Sequence, residues 1–332
     1  MSDKDYIFLF SSDRSGSNLL LRLLGAHSET VAPPTSQLLP NLYKAVDKYA
    51  PLASQKNWEF LLKNAQNLHH AGFGEWTNYA DLHSILSHQT ERSVSVILRT
   101  IFDTEARAKN ANVVAIKAHR AFEYADMLQA DFPKARFIHL TRDPRDMALS
   151  WLNTPALRGG VARAAAIWKE EQAELLKLSK MMDRDVYRVR YEDILSQPKQ
   201  VLKELCKALG VAFEDGMLNF YKKTDTQNIA GHVHAWNNLA KPLMSQNQAK
   251  YKSDLTLEQR AHIEFTCGQE MEQLGYAPDL NLKNFNLASI AFDLQENAPW
   301  EKPGYAKLSQ TERDSHVVLR KAVKTLLEGP NY

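Results

Sequence analysis

The sequence is poor in cysteine and has no long apolar run. Its 332 residues include only Cys206 and Cys267, both in segments predicted to be helical, so neither a disulfide framework nor a cysteine metal site is expected. No stretch approaches the roughly 20 apolar residues that a membrane span needs. The first residues, Met-Ser-Asp-Lys-Asp, do not resemble a secretory signal peptide. We therefore expect a cytoplasmic protein without a membrane span.

An excess of charge of one sign is also absent. The chain has 41 Lys and Arg against 39 Asp and Glu, a net charge of +2, which gives no reason to expect nucleic-acid binding. The histidine pairs His69–His70 and His232–His234 have no carboxylate or cysteine at a metal-ligand spacing, so no metal site is predicted.

The segment Tyr6–Leu24 combines a strand, a polar turn and a helix. Ile7–Phe10 is a short apolar run typical of a buried strand, and a leucine-rich helical pattern follows the turn Ser11–Ser17. A strand-turn-helix unit directs free backbone N–H groups and the positive end of the helix dipole into the turn, which favours phosphate binding. Arg14 adds a fixed positive charge, and Ser15 and Ser17 add hydroxyl donors.

This turn is not a Walker loop. A Walker loop has the pattern G-x-x-x-x-G-K-[ST], whereas this turn has the single glycine Gly16 and no lysine. The absent lysine counts against a nucleotide-dependent small-molecule kinase, which is kept as an alternative together with a non-catalytic nucleotide-binding protein.

The remaining pattern predicts an α/β protein with a mainly parallel sheet. Helical patterns alternate with four predicted strands, as βαβ units require. The strands are Tyr6–Phe10, Val113–Lys117, Arg136–Leu140 and Val186–Tyr191. The predicted helices are 42–67, 82–108, 161–182, 198–209, 256–274 and 310–327. We interpret 225–253 as a long polar loop and 277–305 as irregular, so residues 1–276 form the α/β domain and 277–332 a C-terminal extension packed on it.

A second anion site is predicted after the third strand. Asp143 occupies the position of a helix N-cap, and Pro144 occupies the first helical position. Arg142 is thereby held beside a helix N-terminus, and Ser150 lies about two turns into that helix. Both side chains suit a phosphate.

These segments resemble the sulfotransferases that use 3′-phosphoadenosine 5′-phosphosulfate (PAPS). In that family an [RK]-S-G-[ST] turn holds the 5′-phosphosulfate, and an Arg and a Ser eight positions apart hold the 3′-phosphate. A tyrosine in a Y-E-D segment lies near the adenine, and Tyr191 matches it. The resemblance implies a P-loop-like three-layer sandwich and PAPS as sulfate donor. It implies donor binding by Arg14, Ser15, Gly16, Ser17, Asn18, Leu19, Arg142, Ser150 and Tyr191.

A fourth feature that resembles the family is a Lys-x-His at a strand end. Alternation along a strand places Lys117 and His119 on the same face. The segment is similar to the K-T-H of cytosolic sulfotransferases, in which the histidine is the catalytic base and the lysine contacts sulfuryl or phosphate oxygens. Imidazole titrates near neutral pH and suits that role. The resemblance therefore implies catalysis by His119, Lys117 and Arg14.

Two departures from the family are visible. The tyrosylprotein branch carries a glutamate base shortly after the first helix, but residues 31–36 contain no acid and Glu29 comes too early. Leu19 stands where many cytosolic members have an aromatic residue that stacks on adenine. Either Lys250 or Lys252 could meet the 3′-phosphate. The resemblance leaves the acceptor open among a small-molecule, carbohydrate, lipid or peptide hydroxyl.

Overall fold

The computed structural model describes residues 4–72, 76, 78–182, 186–296 and 305–330, with the backbone alone at 232, 234 and 305. Its sheet has the order β2-β3-β1-β4-β5, and every neighbouring pair is parallel. The strands are β1 Asp5–Phe10, β2 Thr30–Val31, β3 Val113–Lys117, β4 Arg136–Thr141 and β5 Val186–Arg190.

Helices follow the strands along the chain. They are α1 Ser17–Gly25, α2 Leu38–Ala45, α3 Gln55–His70, α4 Leu82–Leu86, α5 Val94–Ala108, α6 Ala125–Asp131, α7 Pro144–Leu152, α8 Gly160–Met181, α9 Tyr191–Ser196, α10 Pro198–Ala208, α11 Thr224–His232, α12 Tyr251–Asp254, α13 Leu257–Leu274, α14 Leu287–Glu296 and α15 Gln310–Glu328. Short 3-10 helices, among them Asp215–Lys222 and His234–Ala240, connect several of these helices.

The alternation of β1 divides the interior into two layers. Tyr6, Phe8 and Phe10 belong to one apolar cluster, which also contains residues of α2, α3, α5 and α15. Ile7 and Leu9 belong to another, formed with α1, α9 and α10. Because both faces of the sheet are covered, the central strand β1 is continuously apolar from Ile7 to Phe10. The predicted α/β three-layer architecture is confirmed.

Several predicted element boundaries are wrong. The single helix predicted over 42–67 is two helices, since Ser54 caps the start of α3 by accepting from the Asn57 N–H. The helix predicted over 82–108 also divides, because Ser93 caps α5 by accepting from the Val96 N–H. The last strand ends at Arg190, and Tyr191 begins α9. A serine inside an apolar periodicity is easily passed over although it starts a new helix.

The region interpreted as a long loop is largely helical. Between 225 and 253 the chain forms most of α11, the 3-10 helix His234–Ala240 and the start of α12. The irregular region after 277 likewise contains α14. Helix α14 packs on α8 and α13, and α15 packs on α2 and α3. The helices between 225 and 253 were concealed by the polar composition of that segment, whose apolar positions are few and lack regular spacing.

Candidate active site

The carboxyl ends of the parallel strands open into one cavity of about 620 Å³. The turn between β1 and α1 forms part of its wall. Arg14 and Gly16 both have positive φ, 63° and 91°, and no described side chain caps the N-terminus of α1. Alternating left-handed residues direct successive N–H groups into a concavity that binds anions. The backbone of this turn therefore has the geometry of a phosphate site.

Tyr191 explains why the turn needs glycine at position 16. A Cβ on Gly16 would lie 2.4 Å from Cδ2 and 2.6 Å from Cε2 of Tyr191. The tyrosine is fixed from other directions too. The Arg142 guanidinium lies 4.4 Å from its ring centroid, and its hydroxyl accepts from Nδ2 of Asn247 at 2.7 Å.

The two predicted anion sites touch each other. Nη1 of Arg142 donates to the carbonyl oxygen of Arg14 at 2.9 Å, and Nε of Arg14 donates to Oγ of Ser150 at 3.2 Å. Arg142 is 7% exposed, and its Nε has no hydrogen-bond partner among the described residues. A buried guanidinium N–H without a partner is costly unless a ligand uses it.

Lys117 and His119 line the same cavity. Nζ of Lys117 lies 3.0 Å from Oδ1 of Asp13, and Nδ1 of His119 lies 3.8 Å from the same oxygen. Burial lowers the pKa of His119, while the Asp13 carboxylate acts in the opposite direction. A lowered pKa favours the neutral imidazole, which is the form that accepts a proton.

Most of the other predicted donor residues also line this cavity. Gly16, Ser17, Asn18 and Leu19 contribute to the wall. Ser15 does not; it is fully buried behind the wall, and its Oγ has no hydrogen-bond partner among the described residues. Glu29 precedes the position at which the tyrosylprotein branch carries its glutamate base, and it is also absent from the described cavity lining.

The side of the cavity facing the strand ends comes from the C-terminal half of the chain. We call its cavity-lining residues between Val233 and Asp254 and between Leu308 and His316 the outer wall. Trp236 and Leu239 of this wall belong to a small apolar cluster against which Leu19 packs. The backbone N–H groups of Ala249 and Tyr251 donate to Asp146 on α7, which anchors the wall to the second anion site.

Lys250 and Lys252, the two lysines considered for the 3′-phosphate, differ in their positions. Lys250 lines the cavity, whereas Lys252 is not among the described lining residues and its Nζ lies 3.9 Å from Oδ2 of Asp279.

Sequence reasoning missed two further residues that line the cavity, Trp236 and Asn247. A tryptophan inside a polar segment was the available signal for the first, since a residue so costly to expose usually covers something.

A family comparison agrees with this geometry. The family model described as "Sulfotransferase family" matches residues 6–215, more than half of the chain. The chain belongs to the sulfotransferase family. The matched range contains both anion sites and the Lys-x-His.

Individual relatives are distant. An omega-hydroxy-beta-dihydromenaquinone-9 sulfotransferase of Mycobacterium bovis is 22% identical over 81% of this chain and 75% of its own. An uncharacterized protein of Aquifex aeolicus is 24% identical over 65% of this chain, which spans only 27% of that longer protein. The sulfotransferase domain of the Synechococcus PCC 7002 olefin synthase shares the fold, with a TM-score of 0.61 and 22% identity over 84% of this chain and 97% of its own.

Within the described residues, no helix has both the length and the apolarity to cross a membrane. The side chains of His232 and His234 lie outside the described residues. His69 is buried against Trp76 and Tyr79.

Proposed function

We propose that this protein transfers a sulfuryl group from PAPS to a hydroxyl of its acceptor, with His119 as general base. One observation carries the proposal. Arg142 contacts the backbone of the β1–α1 turn directly, so the two anion-binding groups lie within reach of one nucleotide that has phosphate groups at both ends. Lys117 and His119 line the same cavity.

The residues present fit such a donor. The open N-terminus of α1 and the left-handed turn at Gly16 suit a 5′-phosphosulfate. The unpartnered Nε of Arg142, together with Ser150 and Lys250, suits a 3′-phosphate. Trp236 lines the cavity and belongs to the apolar cluster against which Leu19 packs, so it can provide the aromatic surface for adenine that Leu19 lacks.

The bound donor would supply a sulfuryl group activated by its linkage to phosphate. His119 would accept the proton of the acceptor hydroxyl, whose oxygen then forms the new O–S bond while the S–O bond to phosphate breaks. Lys117 and Arg14 would place positive charge beside the oxygens that gain negative charge. The electron pair of the broken bond stays on the released adenosine 3′,5′-bisphosphate.

The acceptor hydroxyl could belong to a small molecule, a carbohydrate, a lipid or a peptide. The outer wall contributes Leu243, Met244 and Leu308 to the cavity, and these favour an acceptor with apolar carbon around its hydroxyl. The mycobacterial relative is named for a lipid acceptor, a hydroxylated dihydromenaquinone. Long-chain alcohols and polyprenyl alcohols are therefore the first acceptors to test.

A thermal-shift comparison tests donor use without knowledge of the acceptor. Adenosine 3′,5′-bisphosphate at 100 times its Kd should stabilise the chain by about 2.7 kcal/mol, while ATP has little effect. Stabilisation by ATP alone would favour the kinase alternative. Transfer of labelled sulfate from PAPS to a panel of alcohols then tests the reaction. Tight nucleotide binding with no transfer to any acceptor class would favour a non-catalytic protein.

A further inference from the structure

Asp13 presents an electrostatic problem. It lines a cavity whose neighbouring groups, Arg14, Lys117 and Arg142, are positive and suited to anions. A carboxylate there weakens the attraction for a sulfate donor. Burial alone would raise the pKa of Asp13, but Lys117 and His119 hold it well below its ordinary value. The carboxylate is therefore charged at every physiological pH, and its cost to donor binding is permanent.

The geometry indicates what this carboxylate does. Oδ1 of Asp13 lies 3.0 Å from Nζ of Lys117 and 3.8 Å from Nδ1 of His119. Nδ1 of His119 is buried and has no hydrogen-bond partner among the described residues. The hydroxyl of Tyr124 donates to the His119 carbonyl at 2.9 Å and fixes the backbone there. A small rotation of the imidazole would bring Nδ1–H into hydrogen-bond range of Asp13.

We propose that Asp13 is the positioning residue of the catalytic base: it holds the proton of neutral His119 on Nδ1, leaves Nε2 free to take the acceptor proton, and stabilises the imidazolium that results. This inference rests on the proposed role of His119. Asp13 also keeps Lys117 next to His119. The arrangement follows the logic of a carboxylate that orients a histidine base.

Other charged groups face His119 as well. Lys117 and Arg120 lower its pKa, and Glu123 raises it. Glu123 pairs with Arg120, whose Nε donates to Oε1 of Glu123 at 2.5 Å. Glu123 is therefore a matched control, because Glu123→Gln removes one negative charge near the same imidazole without touching the Asp13 contact.

Nuclear magnetic resonance of the ¹⁵N-histidine-labelled full chain tests the proposal without donor or acceptor, with the His119 signals assigned from His119→Gln. In the wild type, the neutral ring should carry its proton on Nδ1. In Asp13→Asn the pKa of His119 should fall by about one pH unit or more, because an opposite charge this close supports the charged form. In Glu123→Gln the fall should be smaller.

Two results would overturn the proposal: a wild-type ring protonated on Nε2, or a His119 pKa equal in Asp13→Asn and wild type. The position of the ring proton is measured on the wild-type chain, so this test remains available even if Asp13→Asn fails to fold. Failure of the proposed function gives a different pattern. In that case the resonance data come out as expected, but the protein transfers no sulfate to any alcohol.

Once an acceptor is known, kinetics give an independent check. Asp13→Asn should lower kcat by about 10- to 1000-fold, as expected for a base left poorly oriented. Its affinity for adenosine 3′,5′-bisphosphate should be unchanged or tighter, because a negative charge has left the cavity. The acid limb of the kcat profile should move to lower pH, since His119 then loses its proton more easily. A parallel loss of nucleotide affinity would instead mean that Asp13 only maintains the turn.

Discussion

The cavity has two walls that differ in how the chain builds them. The strand-end wall is assembled from the end of β3 and the turns that follow β1, β3 and β4, and it carries Arg14, Lys117, His119 and Arg142. The outer wall comes from short helices and loops after residue 232 and from the start of α15. The first wall is anchored in the sheet and presents the groups suited to charge and proton transfer. The second is attached to it through contacts such as the one between Asp146 and the backbone of Ala249.

This difference predicts which substitutions should alter the rate of the reaction and which should alter the affinity for a ligand. Groups held at strand ends keep a fixed position relative to one another, which transition-state stabilisation requires. Groups on attached segments can cover and select ligands. Substitutions of His119 and Lys117 in the strand-end wall should therefore change mainly the rate. Substitutions of Arg14 and Arg142, which are proposed to hold phosphate groups, should change nucleotide affinity as well, and substitutions in the outer wall should change mainly affinity.

The largest effect is expected from the base. His119→Ala should lower kcat by about 10²- to 10⁴-fold, the range for loss of a general base. The affinity for adenosine 3′,5′-bisphosphate, measured by calorimetry, should change little because the proposed phosphate contacts involve other residues. Near-normal turnover of His119→Ala would show that His119 is not the base. It would also contradict the proposal that the strand-end wall carries out proton transfer.

The sequence revealed the strand-end wall because its signals are local. A strand, the turn Arg14–Ser17 and a leucine face lie within twenty residues, and the cap Asp143–Pro144 marks the second site equally closely. The outer wall carries no comparable pattern, since its short 3-10 helix lacks regular apolar spacing. The contact between Asp13 and Lys117 joins residues 104 positions apart, and no local rule finds such a pair.

An intermediate effect is expected from Trp236 in the outer wall. Trp236→Ala should weaken nucleotide binding by about 10- to 100-fold, because stacking on an aromatic side chain contributes about 1–3 kcal/mol per base. Trp236→Phe is the matched variant and should retain most of the affinity. Equal binding by wild type and Trp236→Ala in calorimetry would mean that adenine lies elsewhere in the cavity.

The smallest effect separates the two late lysines. Lys250→Ala should weaken binding of adenosine 3′,5′-bisphosphate by about tenfold, the typical loss for a charge-assisted hydrogen bond. Lys252→Ala removes the same charge two residues away, outside the described cavity lining, and should leave the affinity almost unchanged. A larger loss in Lys252→Ala than in Lys250→Ala would contradict the described course of the outer wall.

The account depends most on one nucleotide bridging the two anion sites. Calorimetry on the wild-type chain with adenosine 3′,5′-bisphosphate, adenosine 3′-monophosphate and adenosine 5′-monophosphate tests this directly. Each monophosphate should bind at least about tenfold more weakly than the bisphosphate, because each loses the charge-assisted contacts of one site. A monophosphate that binds as tightly as the bisphosphate would contradict the account, since one of the two sites would then hold no phosphate.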